Sequence, residues 1–117
     1  REDMLREADM ISRLSLDTVK FHQLQILKDT AMAGEYRSHP ERFTLFELDD
    51  YIDFIIAFIE RLNPDFVIER FSGEVPPWFL AGPGWGLIRT YEVRNNLEQR
   101  MVNRDTWQGK YYKTVNI

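Results

Sequence analysis

Residues 18–30, TVKFHQLQILKDT, constrain the fold most, because apolar side chains occupy both faces of a strand. β-Branched and aromatic residues favour an extended backbone, and the polar cluster at 28–30 ends it. With a period of two, one face carries Val19, Phe21, Gln23 and Gln25, and the other carries Lys20, His22, Leu24 and Ile26. A strand that is apolar on both faces is typical of a mostly parallel sheet covered on both sides. The sequence therefore predicts an α/β protein whose chemistry gathers at the carboxyl ends of its strands.

Length and composition indicate one globular domain without cysteine chemistry. The 117 residues are 44% hydrophobic and 14% aromatic, and the net charge of -4 is spread over both signs. No cysteine and only two histidines are present, which excludes disulfides, thiolate zinc sites and cysteine-ligated clusters within these residues. Neither a membrane-spanning run nor a signal sequence is found, so the cytoplasm is the expected compartment.

The clearest local signal is a helix start in which Thr44 and Glu47 match a capping box. The helix is expected over residues 45–62, with one apolar stripe that covers the sheet. The stripe comprises Leu48, Ile52, Ile55, Ile56, Ile59 and Leu62.

Other helices and one more strand complete the predicted order. The opening helix is expected over residues 2–14, a short helix over 30–37 and a last helix over 87–103. Residues 66–71 predict a second strand, parallel to the first because a helix joins the two. The buried positions expected in the last helix are Leu87, Tyr91, Leu97 and Met101, and its solvated face carries Arg89, Arg94, Arg100 and Arg104.

Two polar segments each allow two interpretations. Residues 69–74 are either an internal ion pair followed by a turn or a ligand-facing loop after the second strand. The tail at 106–113 combines three aromatic residues and two lysines, which either stack bases or dock on the body of the domain. His39 is expected in a surface loop, and Trp85 is expected to pack inward. Spacing marks no acid pair and no nucleophile with its base as catalytic.

Three phrases in order resemble the radical S-adenosylmethionine proteins, in particular the bacterial Fe-S oxidoreductase subfamily that is similar to the elongator catalytic subunit. They are VKFHQLQILKDT at 19–30, IERFSGE at 68–74 and TWQGK at 106–110. The resemblance covers nearly the whole chain but only the carboxyl-terminal portion of such a protein, and Arg1 in place of an initiator methionine agrees with a cut chain. It implies that residues 1–72 are the last helix and strand units of a partial (β/α) barrel. Residues 73–117 would be a carboxyl-terminal extension.

The resemblance also implies the chemistry of the intact protein. Such a parent cleaves S-adenosylmethionine at a [4Fe-4S] cluster and abstracts hydrogen from a substrate, for which RNA is one candidate. This chain has neither the three-cysteine motif nor the glycine-rich S-adenosylmethionine-binding stretch, so alone it is expected to be inactive and without a cofactor. Its expected partner is the amino-terminal remainder of its own chain, and a copy without it could dimerise through the uncovered surface.

The resemblance orients several candidate residues by position. Gln23 and Gln25 are expected to face cofactor or substrate inside the barrel, with Arg70, Gly73 and Glu74 at its border. Trp107 and Lys110 are candidate contacts of the tail, and His22 is expected as a hydrogen-bonded packing residue on the opposite strand face. The alternative is a self-contained α/β module that binds RNA or a protein through the 72–86 loops and the tail. The negative net charge weighs against nonspecific RNA binding.

Overall fold

The computed structural model describes residues 2–113, which form four α-helices and one two-stranded parallel sheet. The predicted α/β class is therefore confirmed. In chain order the elements are α1 (Glu2–Ile11), β1 (Thr18–Lys20), α2 (Ala31–Ser38), α3 (Leu48–Glu60), β2 (Val67–Arg70) and α4 (Thr90–Asn103). Within this described part, no helix combines the length and apolar character needed to cross a membrane.

The sheet consists of β1 and β2 in parallel register, as the sequence predicts. Thr18 pairs with Val67 and Val19 with Ile68, after which a bulge brings Lys20 opposite Arg70. The Phe21 amide extends the ladder by donating to the Arg70 carbonyl at 2.8 Å.

The first strand is shorter than expected, since regular pairing ends at Lys20 and residues 21–26 have no regular secondary structure. Residues 79–81 hold this segment instead. The Lys28 amide donates to the Phe79 carbonyl at 2.8 Å, and the Ala81 amide donates to the Ile26 carbonyl at 2.7 Å. The prediction of one strand over residues 18–27 is therefore wrong. Beyond β1, residues 79–81 bond this segment in place of β2.

Only one face of the sheet is covered within residues 2–113. Val19, Phe21 and Ile68 pack against the hydrophobic core, whereas Lys20 and Val67 on the other face are exposed. Coverage of both faces by this chain is thus not found.

Helix α3 supplies most of the core. The predicted stripe is confirmed, with Leu48 half-buried and the other five positions buried. Helix α1 adds Ala8, and α4 adds Val93 and Leu97. The buried Ser12 ties the end of α1 to the end of α3, because its hydroxyl donates to the Ala8 carbonyl and accepts from the Asn63 amide.

The predicted capping box is not formed, since α3 begins at Leu48 and Glu47, which precedes it, is extended and makes no side-chain cap hydrogen bond. Tertiary contacts of Phe46 explain the difference. Its ring stacks on Phe54 with centroids 5.2 Å apart, and its carbonyl accepts a hydrogen bond from the Trp85 indole at 3.0 Å. These contacts hold the segment open, and they confirm the inward packing of Trp85.

Helix α4 differs from its prediction at both the start and the buried face. It begins at Thr90, so Leu87 precedes it and is exposed, as is Tyr91. Leu97 is buried and Met101 is half-buried, as expected. The arginine face is only partly solvated. Arg100 forms ion pairs with Asp49 and Asp53 of α3, and Arg104 also pairs with Asp53.

The tail docks on the carboxyl end of α3. The amides of Gly109 and Tyr111 donate to the carbonyls of Ile59 and Glu60 at 3.0 and 2.7 Å, and the bond from Tyr111 pairs a carbonyl that the helix end leaves free. Gly109 has φ 84°, and a Cβ there would lie 2.9 Å from Pro64. Of the two readings of the tail, docking is the one observed.

Candidate functional site

The carboxyl ends of the two strands are joined by Gln23 and Gly73. The Gln23 side-chain Nε2 donates to the Gly73 carbonyl at 3.0 Å, and the Gly73 amide donates to Gln23 Oε1 at 2.7 Å. Because the pair is reciprocal, it fixes the orientation of the side-chain amide. Gln23 thus continues the pairing of the strands after the regular ladder has ended.

Three side chains converge on Gly73. A Cβ at this position would lie 3.0 Å from His22 Nδ1, 3.3 Å from Gln25 Oε1 and 3.7 Å from Gln23 Oε1. The structure therefore brings together Gln23, Gln25 and Gly73, three of the candidates that the sequence singles out. We call these residues with His22 the strand-end site.

His22 differs from its expected role. It is exposed, and it forms no hydrogen bond with any residue of the range 2–113. The backbone beyond Lys20 is no longer a regular strand, so strict alternation of the side chains does not hold there. His22 is thus a neighbour of Gly73 rather than a packing residue of the opposite face.

Glu74 is directed to the start of α4. One carboxylate oxygen pairs with the Arg89 guanidinium at 2.6 Å, and the other accepts from the Thr90 amide at 3.3 Å. The hydrogen bond from Arg89 lowers the pKa of Glu74, as does the bond from Thr90. Both carboxylate oxygens of Glu74 are therefore bonded to the start of α4.

Tyr51 of α3 supports the strand-end site from the core. Its hydroxyl donates to the Phe71 carbonyl at 2.7 Å, and its ring lies 4.9 Å from Trp85, centroid to centroid. Burial raises the pKa of Tyr51, so the group stays a neutral donor. The sequence does not single out Tyr51, although it falls three residues after Leu48 and four before Ile55 in the apolar stripe.

One polar group beside the site has no partner. Ser72 is buried, and its hydroxyl forms no hydrogen bond within residues 2–113. A buried hydroxyl without a partner costs free energy.

Two clefts flank the strand ends. The β1 cleft, of about 470 Å³, lies beside β1 and is lined by Met4, Lys20, His22, Leu24, Phe54 and Phe58 among others. The arginine cleft, of about 210 Å³, lies between the end of β2 and the first turn of α4. Its lining is Glu69, Arg70, Phe71, Thr90, Tyr91 and Arg94.

The tail candidates lie elsewhere. The Lys110 ammonium is 5.1 Å from the Trp107 ring centroid, which is a cation–π contact within the tail. Gln108 binds the carbonyls of Asn63 and Phe66 just before β2, whereas Gly73 follows β2. Trp107 and Lys110 are therefore not brought to the strand-end site.

The strand-end site offers amide and imidazole groups and the arginine cleft offers guanidinium groups, all of which can bind and orient a ligand. No group of three or more His, Cys, Asp or Glu residues within 2–113 could hold a metal ion, and the sequence has no cysteine. The residues of this chain therefore do not fit an iron–sulfur cluster.

Comparison with known proteins places these elements in a family. Residues 16–103 match the Radical_SAM C-terminal domain, a range that includes both strands, the strand-end site and α4. The chain is 27% identical over 115 residues to the uncharacterized protein YtqA of Bacillus subtilis, covering 98% of this chain and 35% of that protein. It is 30% identical over 114 residues to the uncharacterized protein MJ0486 of Methanocaldococcus jannaschii, covering 92% of this chain and 33% of that protein. The chain thus spans about a third of the length of these relatives.

Proposed function

The chain belongs to the radical SAM C-terminal domain family, and from this premise we propose that it is the carboxyl-terminal part of a radical S-adenosylmethionine Fe-S oxidoreductase. The subfamily we propose is the bacterial one that resembles the elongator catalytic subunit. Residues 1–72 would complete a partial barrel, and residues 73–117 would form an extension beside its mouth. The intact protein would cleave S-adenosylmethionine at a [4Fe-4S] cluster whose ligands lie outside this chain.

The match of residues 16–103 to the family carries this proposal, and the reciprocal pair between Gln23 and Gly73 indicates where in this chain the pocket lies. Ligands of parallel α/β sheets bind outside the carboxyl ends of the strands, and this pair lies there. After its two bonds to Gly73, the Gln23 amide still has one N–H and one lone pair for a ligand. Gln23 and Gln25 would therefore shape the substrate pocket, with Gly73 at its border.

The open edge of β1 supports the presence of a further strand. In a parallel pair the backbone groups alternate in direction, so the amides of Thr18 and Lys20 point away from β2. No other strand among residues 2–113 pairs with that edge, and the apolar β1 cleft lies beside it. An unpaired edge is a surface onto which another strand can add. The remainder of the intact protein is the proposed occupant, because the relatives are about three times as long as this chain.

The chain's own part in the reaction would be binding and positioning. Glu74 orders α4 through Arg89 and Thr90, so we assign it to the support of the pocket rather than to substrate. The tail is held on α3 by backbone hydrogen bonds, which explains it without a base-stacking role. RNA is retained as a candidate substrate of the intact protein on the resemblance alone.

The test is made on the protein expressed from its complete reading frame under anaerobic conditions. Iron content, the EPR spectrum after reduction and formation of 5′-deoxyadenosine from S-adenosylmethionine are measured. We expect a reducible [4Fe-4S] signal and cleavage of S-adenosylmethionine. A complete protein without a cluster would overturn the proposal.

A variant in this chain separates cluster binding from substrate positioning. Gln23→Ala should keep the iron content and the EPR signal, since the cluster ligands lie elsewhere, but should change the rate of 5′-deoxyadenosine formation. Gln99→Ala is the matched control, because Gln99 is exposed on α4 and binds only Asn103 among the residues described. Loss of iron in Gln23→Ala but not in the control would contradict the assigned role.

A further inference from the structure

Two arginines flank the arginine cleft with their side-chain donors unused. Within residues 2–113, neither Arg70 nor Arg94 donates a side-chain hydrogen bond or forms an ion pair, and both are exposed. Other arginines of the chain do find carboxylates: Arg61 binds Asp9, Arg89 binds Glu74, and Arg100 binds Asp49. In a chain with 19 acidic residues, two guanidinium groups on one cleft are thus left with their donors unused.

Local backbone structure places these side chains at the cleft. Arg70 stands at the bulge of the sheet, where it replaces Glu69 opposite Lys20. A bulge redirects the side chains that follow it and is frequent beside binding sites. On α4, Arg94 lies one turn after Thr90, so the guanidinium and the Thr90 hydroxyl share a helix face.

The acidic groups around the cleft are already paired. Glu69 lines it but lies 3.5 Å from the Lys20 ammonium. Glu74, whose charge Arg70 also stabilises, is held by Arg89 and the Thr90 amide. The charges left without a partner at the cleft are therefore positive, although the whole chain is negative.

We propose that the arginine cleft binds a phosphate group. The cleft offers the donors of two guanidinium groups and the hydroxyls of Thr90 and Tyr91. These are more donors than the two oxygens of a carboxylate accept, and they match the larger number of oxygens of a phosphate. Guanidinium groups bind phosphate in a bidentate manner, which two exposed arginines can do without rearranging an ion pair. The binding itself does not depend on radical chemistry, whereas its use as an anchor for a phosphate-bearing substrate rests on the proposed function.

The test is isothermal titration of the complete protein with inorganic phosphate. The double variant Arg70→Gln/Arg94→Gln should bind about tenfold more weakly, or worse, for each arginine removed, because each removes a charge-assisted hydrogen bond. The control Arg13→Gln/Arg37→Gln removes the same charge from two exposed arginines without ion pairs in the described range, and it should bind as the unmodified protein does. Arg70→Lys/Arg94→Lys should bind more tightly than the glutamine pair.

Competing ligands identify the source of the phosphate. A 5′-mononucleotide should displace inorganic phosphate, and the corresponding nucleoside should not. An oligonucleotide that competes better than the mononucleotide would assign the site to a polynucleotide backbone, and the reverse would assign it to a small ligand. The proposal is overturned if phosphate does not bind, if both double glutamine variants lose binding equally, or if acetate displaces phosphate at equal concentration. Formation of 5′-deoxyadenosine, measured separately, reports on the radical chemistry and not on this site.

Discussion

The two faces of the β1–β2 sheet differ although neighbouring residues form them. Ile68 packs against the core under α3, whereas Val67, one residue earlier, is 60% exposed on the other face. The covered face has its own helix, an aromatic cluster and the buried Tyr51. The open face carries the exposed Lys20 and Val67. The unpaired edge of β1 belongs to neither face, and the β1 cleft beside it is lined by side chains of α3 as well as of β1. The chain thus completes its core on one side of the sheet, and the uncovered side supports the proposal that a further part of the protein packs there.

The largest expected effect tests the covered side. Ile52 is fully buried in α3, so Ile52→Ala should lower the free energy of unfolding by about 2–5 kcal/mol through lost burial and a cavity. Val67→Ala is the control on the open face and should change it by less than about 0.5 kcal/mol. Urea denaturation of both variants measures the difference. Equal losses would show that the open face is also part of the packed core.

The next effect concerns the link between the strand ends. Gln23→Ala leaves the partly buried amide and carbonyl of Gly73 without their partner, which should cost about 1–3 kcal/mol. The Gly73 amide should then exchange with solvent faster, as hydrogen exchange by NMR would report. Gln99→Ala, which removes only an exposed bond to Asn103, should leave both quantities unchanged. An unchanged exchange rate at Gly73 in Gln23→Ala would show that the pair does not hold the two ends together.

Alanine substitutions at two glycines should change the stability of the protein in opposite directions. At Gly73 an added Cβ would stand 3.0 Å from His22, so Gly73→Ala must displace that side chain and should destabilise the protein by about 1 kcal/mol. Gly34 lies in α2 with no atom within 4 Å of such a Cβ, so Gly34→Ala should stabilise it by about 0.5–1 kcal/mol. Thermal unfolding of the two variants measures the signs. A neutral Gly73→Ala would mean that the strand-end site has room to spare.

The smallest effect is a pH dependence at the start of α4. Arg89 and Thr90 lower the pKa of Glu74 below its ordinary value, so the unfolded chain binds the proton more readily. The contribution of Glu74 to stability should be full above its unfolded pKa and should be lost as the pH falls through its lowered folded pKa. Because the pair is exposed, the effect should be small and weakened by salt. Comparing the urea midpoints of the unmodified chain and Arg89→Gln on acidification should show a smaller acid loss in the variant. An equal loss in both would assign the acid sensitivity to other carboxylates.

The sequence predicts those features that depend on one element at a time. The stripe of α3 is recognisable because a helix repeats its buried face every three to four residues. The parallel order of the strands follows from the helix between them. The glutamines at the strand end are recognisable as polar residues that close an apolar run.

Features that depend on contacts between distant residues are not predicted. The capping box at Thr44 and Glu47 does not form, because Phe46 contacts Phe54 and Trp85 instead of joining the helix. In the sequence Tyr51 is one more residue of a buried helix, and its hydrogen bond to the Phe71 carbonyl depends on tertiary structure. The arginine cleft depends on the bulge that moves Arg70 opposite Lys20, for which the sequence carries no signal.

The open edge of β1 is proposed to receive a strand from the rest of the protein. The most direct measurement is amide hydrogen exchange at Thr18 and Lys20, compared between the 117-residue chain and the complete protein. These amides should exchange rapidly in the chain and slowly in the complete protein, while Phe21, which donates to Arg70, should be protected in both. Rapid exchange at Thr18 and Lys20 in the complete protein as well would contradict this proposal.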